Sequence, residues 1–289
     1  MKDDTLLQIR AKLNRRDALA RRSHAREPRG APIAEEPMPG TALSTLSNGV
    51  RTITLNRPER LNAIGGTLCA DMIAAFQEAA RCDRTQVIVL TGAGRSFCAG
   101  DDLKEFDLQS ASAQSAREHI ESIQKASRAI LEAPQTVIAA VHGWAAGGGL
   151  EWMIDCDLAI LADDARFFFP EVQLGWNVTG GASAILPRLV GMQKARELIL
   201  FGEKLGAAEA KAMGLAWKVV PRASLMAQAQ AAGERIAALP QGAVRDLKRL
   251  LQRAATLDPV AAMAVETEFA VRQMLDPTMR ERLAAHFKK

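Results

Sequence analysis

Short apolar runs alternate with helical patterns over most of the chain, from Leu43 to Pro221. Apolar runs bounded by polar or turn residues are typical of buried strands, and they predict strands at residues 50–56, 87–92, 136–143, 157–163 and 216–221. Residues 113–131 form an amphipathic helix candidate, and another apolar stripe at helical spacing lies between the first two strands. That stripe consists of Leu68, Met72, Ala75, Phe76 and Ala79. The alternation predicts an α/β fold.

After Pro221 the pattern changes to consecutive helices, interrupted by turn residues at 239–242, 257–259 and 275–277. The apolar stripe of this region needs a surface to bury against, either the α/β body or another copy of the chain. It includes Val244, Leu247, Leu250 and Leu251. We therefore predict three parts: a basic arm and linker at residues 1–42, an α/β core at 43–221 and a C-terminal helical region at 222–289.

The chain has 289 residues and is 48% hydrophobic, enough for one large domain or two modest ones with a hydrophobic core. No apolar run reaches the roughly 18 residues that a membrane-spanning helix needs. The N-terminus also lacks the apolar centre of a secretory signal. We therefore expect a soluble protein that is not membrane-bound, in the cytoplasm, or in the mitochondrial matrix if the source is eukaryotic.

The net charge of +4 is concentrated in the N-terminal arm. Residues 10–29 hold eight basic and two acidic side chains, a charge of +6 that leaves −2 for the remainder. We therefore expect no nucleic-acid face on the main body. The arm is interpreted as a solvated tail or as a contact for a neighbouring subunit or an acidic partner.

Cysteine and histidine spacing indicates neither a disulfide framework nor a metal site. The cysteines show no C-x-x-C pair and the histidines are scattered singly. The four cysteines are Cys69, Cys82, Cys98 and Cys156, and the four histidines are His24, His119, His142 and His286. We expect no bound metal.

Two glycine-rich stretches follow strands, at residues 91–106 and 142–152. Neither contains the phosphate-loop string or a G-x-G-x-x-G that opens a helix. Without a Cβ, however, glycine lets backbone N–H groups approach a ligand atom, and the N-terminus of a helix favours negative charge. Two such donors converging on one oxygen would form an oxyanion hole, which stabilises a developing enolate.

Two glutamates lie at element ends beside these glycines or beside aromatic residues. Glu151 is at the start of the helix that the glycines open, and Glu171 follows Pro170. Desolvation and a like-charged neighbour would raise at least one pKa toward the range that is useful for proton transfer. Taken alone, each glutamate also fits an ordinary helix-start or solvated-loop role, so spacing leaves both interpretations open.

Several long motifs, in order and in register, resemble the crotonase superfamily, the enoyl-CoA hydratase/isomerase family, from about Leu43 to the C-terminus. They are "LNRPERLNAI" (55–64), "SFCAGDDLKEF" (96–106), "GGGLEW…DCDLAILADDARFFFPEVQLG" (147–175), "LPRLVG" (186–191) and "GEKLGAAEAKAMGLAWKVVP" (202–221). The resemblance implies a crotonase-like spiral of ββα repeats. It also implies a C-terminal helical region that mediates homotrimers or hexamers built as dimers of trimers.

The resemblance further implies addition of water to a 2-enoyl-CoA, a reaction of fatty acid metabolism. The thioester oxygen would accept hydrogen bonds from the backbone N–H groups of Asp101 and Gly148. Glu151, as base, would deprotonate the water that attacks C3, and Glu171, as acid, would protonate C2. Coenzyme A is then part of the substrate, and no separate cofactor is expected.

The resemblance also implies that the backbone from Asp101 to Lys104 would line the adenine pocket of CoA. Lys104 and Arg57 are candidates for contacts with the CoA phosphates, although surface cations are common. The other residues expected to contact substrate are Leu61, Ala63, Ala99, Asp102, Leu103, Gly147 and Trp176.

The sequence departs from the family pattern on the acyl side of the site. Asp101 stands where a small neutral residue is usual, and residues 178–182 read "VTGGA" after a bulky Trp176. Two alternatives to the hydratase therefore stay open. One is a Δ3,Δ2-enoyl-CoA isomerase, which needs a single shuttling glutamate, or an enzyme of other crotonase acyl-CoA chemistry. The other is a non-catalytic acyl-CoA or RNA binder that uses the basic arm.

Overall fold

Nine strands form in residues 40–286, the part of the chain that the computed structural model describes. All of these residues belong to one compact unit. In chain order the strands are β1 (Ala42–Ser47), β2 (Val50–Leu55), β3 (Val87–Gly92), β4 (Thr136–Val141), β5 (Trp144–Ala146), β6 (Leu158–Ala162), β7 (Arg166–Phe168), β8 (Leu205–Gly206) and β9 (Lys218–Val220).

Eleven α-helices accompany these strands within the same residues. They are α1 (Leu68–Arg81), α2 (Phe106–Gln109), α3 (Ala113–Leu131), α4 (Gly148–Asp155), α5 (Ala182–Val190), α6 (Met192–Phe201), α7 (Ala207–Ala212), α8 (Leu225–Ala237), α9 (Gln241–Ala254), α10 (Pro259–Met274) and α11 (Pro277–His286).

The strands form two sheets. The larger has six strands in the order β1-β2-β3-β4-β6-β9, and all neighbours are parallel except β1 and β2. The smaller has the order β5-β7-β8, with β5 and β7 parallel. Isolated parallel bridges join Ile64 to Asp101 and Cys98 to Ala145, so the loop after β3 is tied to the smaller sheet.

Hydrophobic side chains cover both faces of the larger sheet. On one face, Val87 and Val89 of β3 pack in a cluster with Leu225 and Ala229 of α8. On the other face, Ile88 and Leu90 belong to the main core, which also includes residues of α1, α3 and α4. A parallel sheet buried on both faces requires nearly continuous apolar strands, and every residue of β3 is buried.

The structure confirms the five predicted strands and both predicted helices, although most of the strands are shorter than predicted. The predicted order of helices after Pro221 is also confirmed by α8 to α11. The sequence analysis missed β1, β5, β7 and β8. The basic arm with its linker lies almost entirely outside the described residues, and the division into a core and a helical region stays a prediction.

The apolar stripe of α9 is only partly covered within one chain. The side chains of Leu247 and Leu251 are 54% and 62% exposed. Among residues 40–286, no helix is both long and apolar enough to cross a membrane.

A buried ion pair fastens α9 to the larger sheet. Lys248 Nζ donates to Asp157 Oδ2 at 2.8 Å and to the carbonyl oxygen of Gln135 at 3.0 Å. The same Asp157 oxygen accepts the backbone N–H of Val137 at 2.8 Å. Since both side chains are largely buried, removing one charge would leave the other poorly solvated.

We expect Lys248→Met to lower the free energy of unfolding by about 3 kcal/mol, because Asp157 would lose its cationic partner in a largely buried position. Chemical denaturation measures this change. The control is Lys211→Met on α7, an exposed position where we expect a change within about 0.5 kcal/mol. Equal losses in the two variants would contradict the structural role of the ion pair.

Candidate active site

A cavity of about 430 Å³ lies between the loop after β3, the N-terminus of α4 and the turn after β7. Most of its wall is apolar or backbone, with a few polar groups, as is usual for a small-molecule site. It is lined by Ile64, Ala99, Gly100, Asp101, Leu103, Ile120, Ile123, Gly147, Gly148, Phe168, Pro170, Glu171, Leu174, Trp176, Asn177 and Thr179.

The glycine turn, Gly147 to Gly149, presents an unpaired backbone donor to this cavity. Gly147 has a φ of +50°, and α4 begins at the next residue. The first N–H groups of a helix have no partner inside the helix. In the described part of the chain, the Gly148 N–H makes no hydrogen bond. This end of α4 also carries the positive end of the helix dipole.

The loop after β3 places a second donor beside the glycine turn. Cys98 N donates to the carbonyl oxygen of Trp144 at 3.0 Å, and Ala146 N donates to the carbonyl oxygen of Cys98 at 3.0 Å. A Cβ on Gly100 would lie 2.7 Å from the carbonyl oxygen of Ala146, so only glycine permits this approach. The next residue, Asp101, lines the cavity, and its N–H makes no hydrogen bond to residues 40–286.

Glu151 lies just behind the cavity wall and is 1% exposed. Its Oε1 accepts the N–H of Thr179 at 2.9 Å, and its Oε2 accepts the N–H of Gly180 at 2.5 Å. Burial raises the pKa of Glu151, while these two hydrogen bonds oppose the rise by stabilising the carboxylate. Glu151 does not itself line the cavity, whereas Thr179 does.

Glu171 lines the cavity next to the glycine turn. A Cβ on Gly147 would lie 2.6 Å from Glu171 Oε1, so the glycine makes room for this carboxyl group. Glu171 Oε2 is buried and has no hydrogen-bond partner among the described residues. Burial, followed by the nearby charges of Glu151 and Asp101, raises the pKa of Glu171 to about 7.

The side chain of Asp101 pairs with a histidine that the sequence analysis did not select for the site. Asp101 Oδ1 and His119 Nε2, which belongs to α3, are 2.9 Å apart. Both side chains are mostly buried, with 18% and 15% exposed. A histidine eighteen residues away on a helix gives no sequence signal for this contact.

Of the residues predicted to contact substrate, Ala99, Leu103, Gly147 and Trp176 line the cavity, whereas Leu61, Ala63, Asp102 and Lys104 do not. Arg57 is already engaged. It donates to the carbonyl oxygen of Ala63 at 2.7 Å, to Asp102 Oδ2 at 3.1 Å and to Glu105 Oε1 at 2.9 Å. These contacts fix the loop after β2 to the loop after β3, and the predicted contact of Arg57 with CoA phosphates stays a prediction.

An aromatic pair stands beside the cavity, and one of its members, Trp176, lines it. The rings of Phe106 on α2 and Trp176 lie 5.8 Å apart at an interplanar angle of 49°. Phe106 was not predicted, and neither were Ile120 and Ile123 of α3, which line the cavity. The helical periodicity of α3 indicated a buried face of that helix but not which part of the face meets a ligand.

A fourth acidic residue, Asp155, is buried one turn after Glu151 on α4. It is 4% exposed, and neither of its carboxyl oxygens has a hydrogen-bond partner in residues 40–286. Ser127 is close enough to lower its pKa slightly, although no hydrogen bond of normal geometry joins the two side chains. Burial dominates and, together with the nearby charge of Glu151, raises the pKa of Asp155 to about 8.

The family model for enoyl-CoA hydratase/isomerase matches residues 45–287 of this chain. The chain is 35% identical over 220 residues to a short-chain-enoyl-CoA hydratase of Clostridium acetobutylicum, covering 76% of this chain and 84% of that protein. It is 34% identical over 216 residues to the 1,2-epoxyphenylacetyl-CoA isomerase of Escherichia coli, covering 74% and 82%.

A solved structure leads to the same family. The enoyl-CoA hydratase of Mycobacterium smegmatis superposes with a TM-score of 0.81 at 32% identity, covering 86% of this chain and 97% of that structure. The shared architecture therefore extends over nearly the whole of the solved relative.

Asp155 gives a prediction for stability. Because its pKa is raised in the folded protein, the folded chain keeps a proton that the unfolded chain releases above about pH 4. The free energy of unfolding should therefore decrease as the pH rises from about 4 to about 8, and Asp155→Leu should remove the part of this decrease that comes from Asp155. The part that comes from Glu171 should remain. We expect the variant to be more stable than the wild type by on the order of 4 kcal/mol at pH 8.

Chemical denaturation of both proteins across this pH range measures the difference, with Asp155→Asn as the matched control. The asparagine also removes the titration but keeps unpaired polar atoms, so its gain should be smaller than that of leucine. A stability difference between wild type and Asp155→Leu that does not change with pH would contradict the assignment.

Proposed function

Because the chain belongs to the enoyl-CoA hydratase/isomerase family, in the crotonase superfamily, we propose that it is an enoyl-CoA hydratase. The reaction would add water across the double bond of a 2-enoyl-CoA thioester. One observation carries this proposal: the two buried glutamates beside the cavity differ in the hydrogen-bond donors that their carboxyl groups receive.

The contrast lies in the hydrogen-bond donors available to each carboxyl group. Glu151 receives two backbone N–H groups, which stabilise its ionised form. Glu171 has a buried oxygen without a donor among residues 40–286, and this favours its protonated form. Two carboxyl groups in environments that differ in this way can serve as a base and an acid in one site. We assign Glu151 as the base and Glu171 as the acid.

Two backbone donors are available for the thioester oxygen. We assign the N–H groups of Asp101 and Gly148 to the oxyanion hole, since both residues line the cavity and neither donor is used elsewhere in the described residues. Preorganised donors of this type stabilise the negative charge that develops on the oxygen, and losing one typically costs on the order of 3 kcal/mol of transition-state stabilisation.

In the proposed reaction, Glu151 takes a proton from a water molecule as the water oxygen bonds to C3. The C2–C3 π electrons move toward the thioester and form an enolate, which the two N–H groups hold. Glu171 then donates its proton to C2, and the thioester carbonyl is restored. Each oxygen of Glu151 keeps a lone pair beyond its bond to Thr179 or Gly180, and this lone pair can accept a hydrogen bond from the water.

The cavity wall supports an apolar acyl group. Ile120, Ile123, Leu174 and Trp176 all line it, and burying their surfaces against an acyl chain is favourable. Lys104 is exposed on the loop after β3 and is our candidate for a contact with a CoA phosphate.

We also propose self-association as a trimer or as a dimer of trimers. Large apolar side chains of the C-terminal helices are exposed in the single chain, which supports burial against another copy. They include Leu247, Leu251, Val260, Met263, Val271, Met274 and Leu275. A monomeric mass in solution would overturn this part of the proposal.

A Δ3,Δ2-enoyl-CoA isomerase is the second candidate, and the position of Glu151 favours it. Glu171 lines the cavity and Glu151 does not. A single carboxyl group could remove a proton from C2 of a 3-enoyl-CoA and return it to C4, while the same oxyanion hole holds the dienolate.

Substitution of the two glutamates distinguishes the two reactions. We expect Glu171→Gln to reduce kcat for crotonyl-CoA hydration and for 3-enoyl-CoA isomerisation by roughly 100- to 10,000-fold. Hydration needs the proton of Glu171, and isomerisation needs its carboxylate to remove a proton from C2 and return it to C4. Glu151→Gln should reduce hydration to a similar extent and have a much smaller effect on isomerisation. Loss of the absorbance of the conjugated thioester follows hydration, and its appearance follows isomerisation.

Glu203→Gln, which changes an exposed carboxylate outside the cavity, is the matched control. A wild type that isomerises but does not hydrate would replace the hydratase assignment by the isomerase. A wild type that is inactive on both substrate types would overturn both candidates.

The pKa of Glu171 predicts the pH dependence of hydration. Its acid form is required, so kcat/KM should fall as the pH rises through about 7. The ionised form of Glu151 is also required, and its raised pKa places the acidic limb above pH 4.5, the ordinary value for glutamate. A profile of kcat/KM that stays flat from about one pH unit below the pKa of Glu171 to about two units above it would contradict the acid role.

A further inference from the structure

The side chain of Asp101 presents an electrostatic problem to the oxyanion hole proposed above. The same residue supplies an N–H donor and a carboxylate. From a backbone N to its own carboxylate oxygen is less than about 5 Å, and the hydrogen bond adds about 3 Å. An oxyanion held by this N–H would therefore lie within roughly 8 Å of a negative charge.

A carboxylate at this distance whose charge is not compensated would slow the reaction. At an effective dielectric constant of about 20, the repulsion between two unit charges 8 Å apart corresponds to a roughly 30-fold decrease in rate. The charge of Asp101 is felt by its neighbours, since it contributes to the raised pKa of both Glu151 and Glu171. The carboxylate must therefore be directed away from the thioester oxygen or offset.

We propose that His119 is a positioning residue that holds the Asp101 carboxylate away from the thioester oxygen and offsets its charge. This inference rests on the oxyanion hole of the proposed function. His119 Nε2 lies 2.9 Å from Asp101 Oδ1, a distance typical of a charge-assisted hydrogen bond. A neutral imidazole can donate through Nε2–H, and the protonated ring adds a compensating positive charge.

The helix that carries His119 also forms part of the cavity wall. Ile120 and Ile123 of α3 line the cavity, while His119 itself does not. The carbonyl oxygen of His119 accepts the hydroxyl group of Ser122 at 2.7 Å. The histidine is therefore held beside the cavity on a regular helix and acts on the reaction through Asp101 instead of touching the substrate.

Other ionisable groups surround the pair from several elements. Glu151 from α4 and Glu171 from the turn after β7 feel the charge of Asp101. So do Cys69 from α1 and Cys98 from the loop after β3. Arg57 also acts on Cys98, but its guanidinium is engaged by Asp102 and Glu105. Of the groups named around Asp101, His119 is the basic side chain that contacts its carboxylate.

Four proteins test the inference: wild type, His119→Leu, Asp101→Asn and the double variant. Each is assayed for hydration at the plateau of its own pH profile, because removing the Asp101 charge also changes the pKa values of the glutamates. We expect His119→Leu to lower kcat by about tenfold with a smaller change in KM, since an unpaired carboxylate opposes the developing oxyanion. Adding Asp101→Asn should restore most of this loss.

His119→Gln separates the hydrogen bond from the charge. Its amide can donate to Asp101 but cannot become positive, so its kcat should fall between those of the wild type and His119→Leu. If leucine prevents folding, as judged by circular dichroism, His119→Asn replaces it in the four-protein comparison, because its side chain is polar but too short to reach Asp101.

A spectroscopic readout tests the same inference without turnover. The carbonyl stretch of a bound acyl-CoA thioester moves to lower frequency as the oxyanion hole polarises it, and difference Raman spectroscopy of a bound saturated acyl-CoA measures the shift. We expect His119→Leu to reduce the shift and the double variant to recover it. A structural role of His119 alone would not produce recovery on removal of a second side chain.

A double variant that is no more active and no more polarising than His119→Leu would overturn the inference. A wild type that polarises the bound carbonyl but catalyses neither hydration nor isomerisation would overturn the proposed function, and the His119 inference would then be decided by the Raman comparison. A wild type that binds acyl-CoA without shifting the carbonyl stretch would overturn the oxyanion hole and the role of His119 together.

Discussion

The close packing of the glycine turn against the loop after β3 is the constraint on which the site depends. Gly149 lies directly against the carbonyl oxygen of Cys98, and Gly100 lies against that of Ala146, so a Cβ at either position would overlap a backbone atom. Backbone contacts, reinforced by the bridge between Cys98 and Ala145, therefore set the position of both N–H donors. Donors fixed in this way need little reorganisation when charge develops.

The acidic residues around this backbone frame differ chiefly in what surrounds each carboxyl group. Glu151 receives amide N–H groups, Asp101 receives an imidazole, and Glu171 has one buried oxygen without a hydrogen-bond partner among the described residues. Residue type is nearly the same in all three cases. Their chemical properties are therefore determined by the neighbouring loop and helix, and in particular by the loop at residues 178–182, whose backbone binds Glu151.

Much of the fold could be predicted because burial on two faces leaves a strong pattern. The continuous apolar run of β3 and the stripe of α3 were predicted with their observed bounds. Strands β5, β7 and β8 have only two or three residues, too few for periodicity to register. Their pairing depends on contacts between distant segments.

The site was predictable to a different extent. The glycines and glutamates stand out because such residues are unusual at the start of a buried helix, whereas His119 and Phe106 resemble ordinary helix residues until α2 and α3 are placed against the cavity. Arg57 shows the opposite case: a cation near the site in sequence is engaged by two carboxylates in space.

Asp155 and Glu171 also change the proton content of the native protein. The formal charge of +4 assigns a full negative charge to every aspartate and glutamate. With pKa values of about 8 and about 7, these two buried groups hold much of their protons at neutral pH, so the folded chain is more positive than its sequence indicates. Unfolding at neutral pH therefore releases protons to the buffer, and its calorimetric enthalpy includes the ionisation enthalpy of whichever buffer receives them.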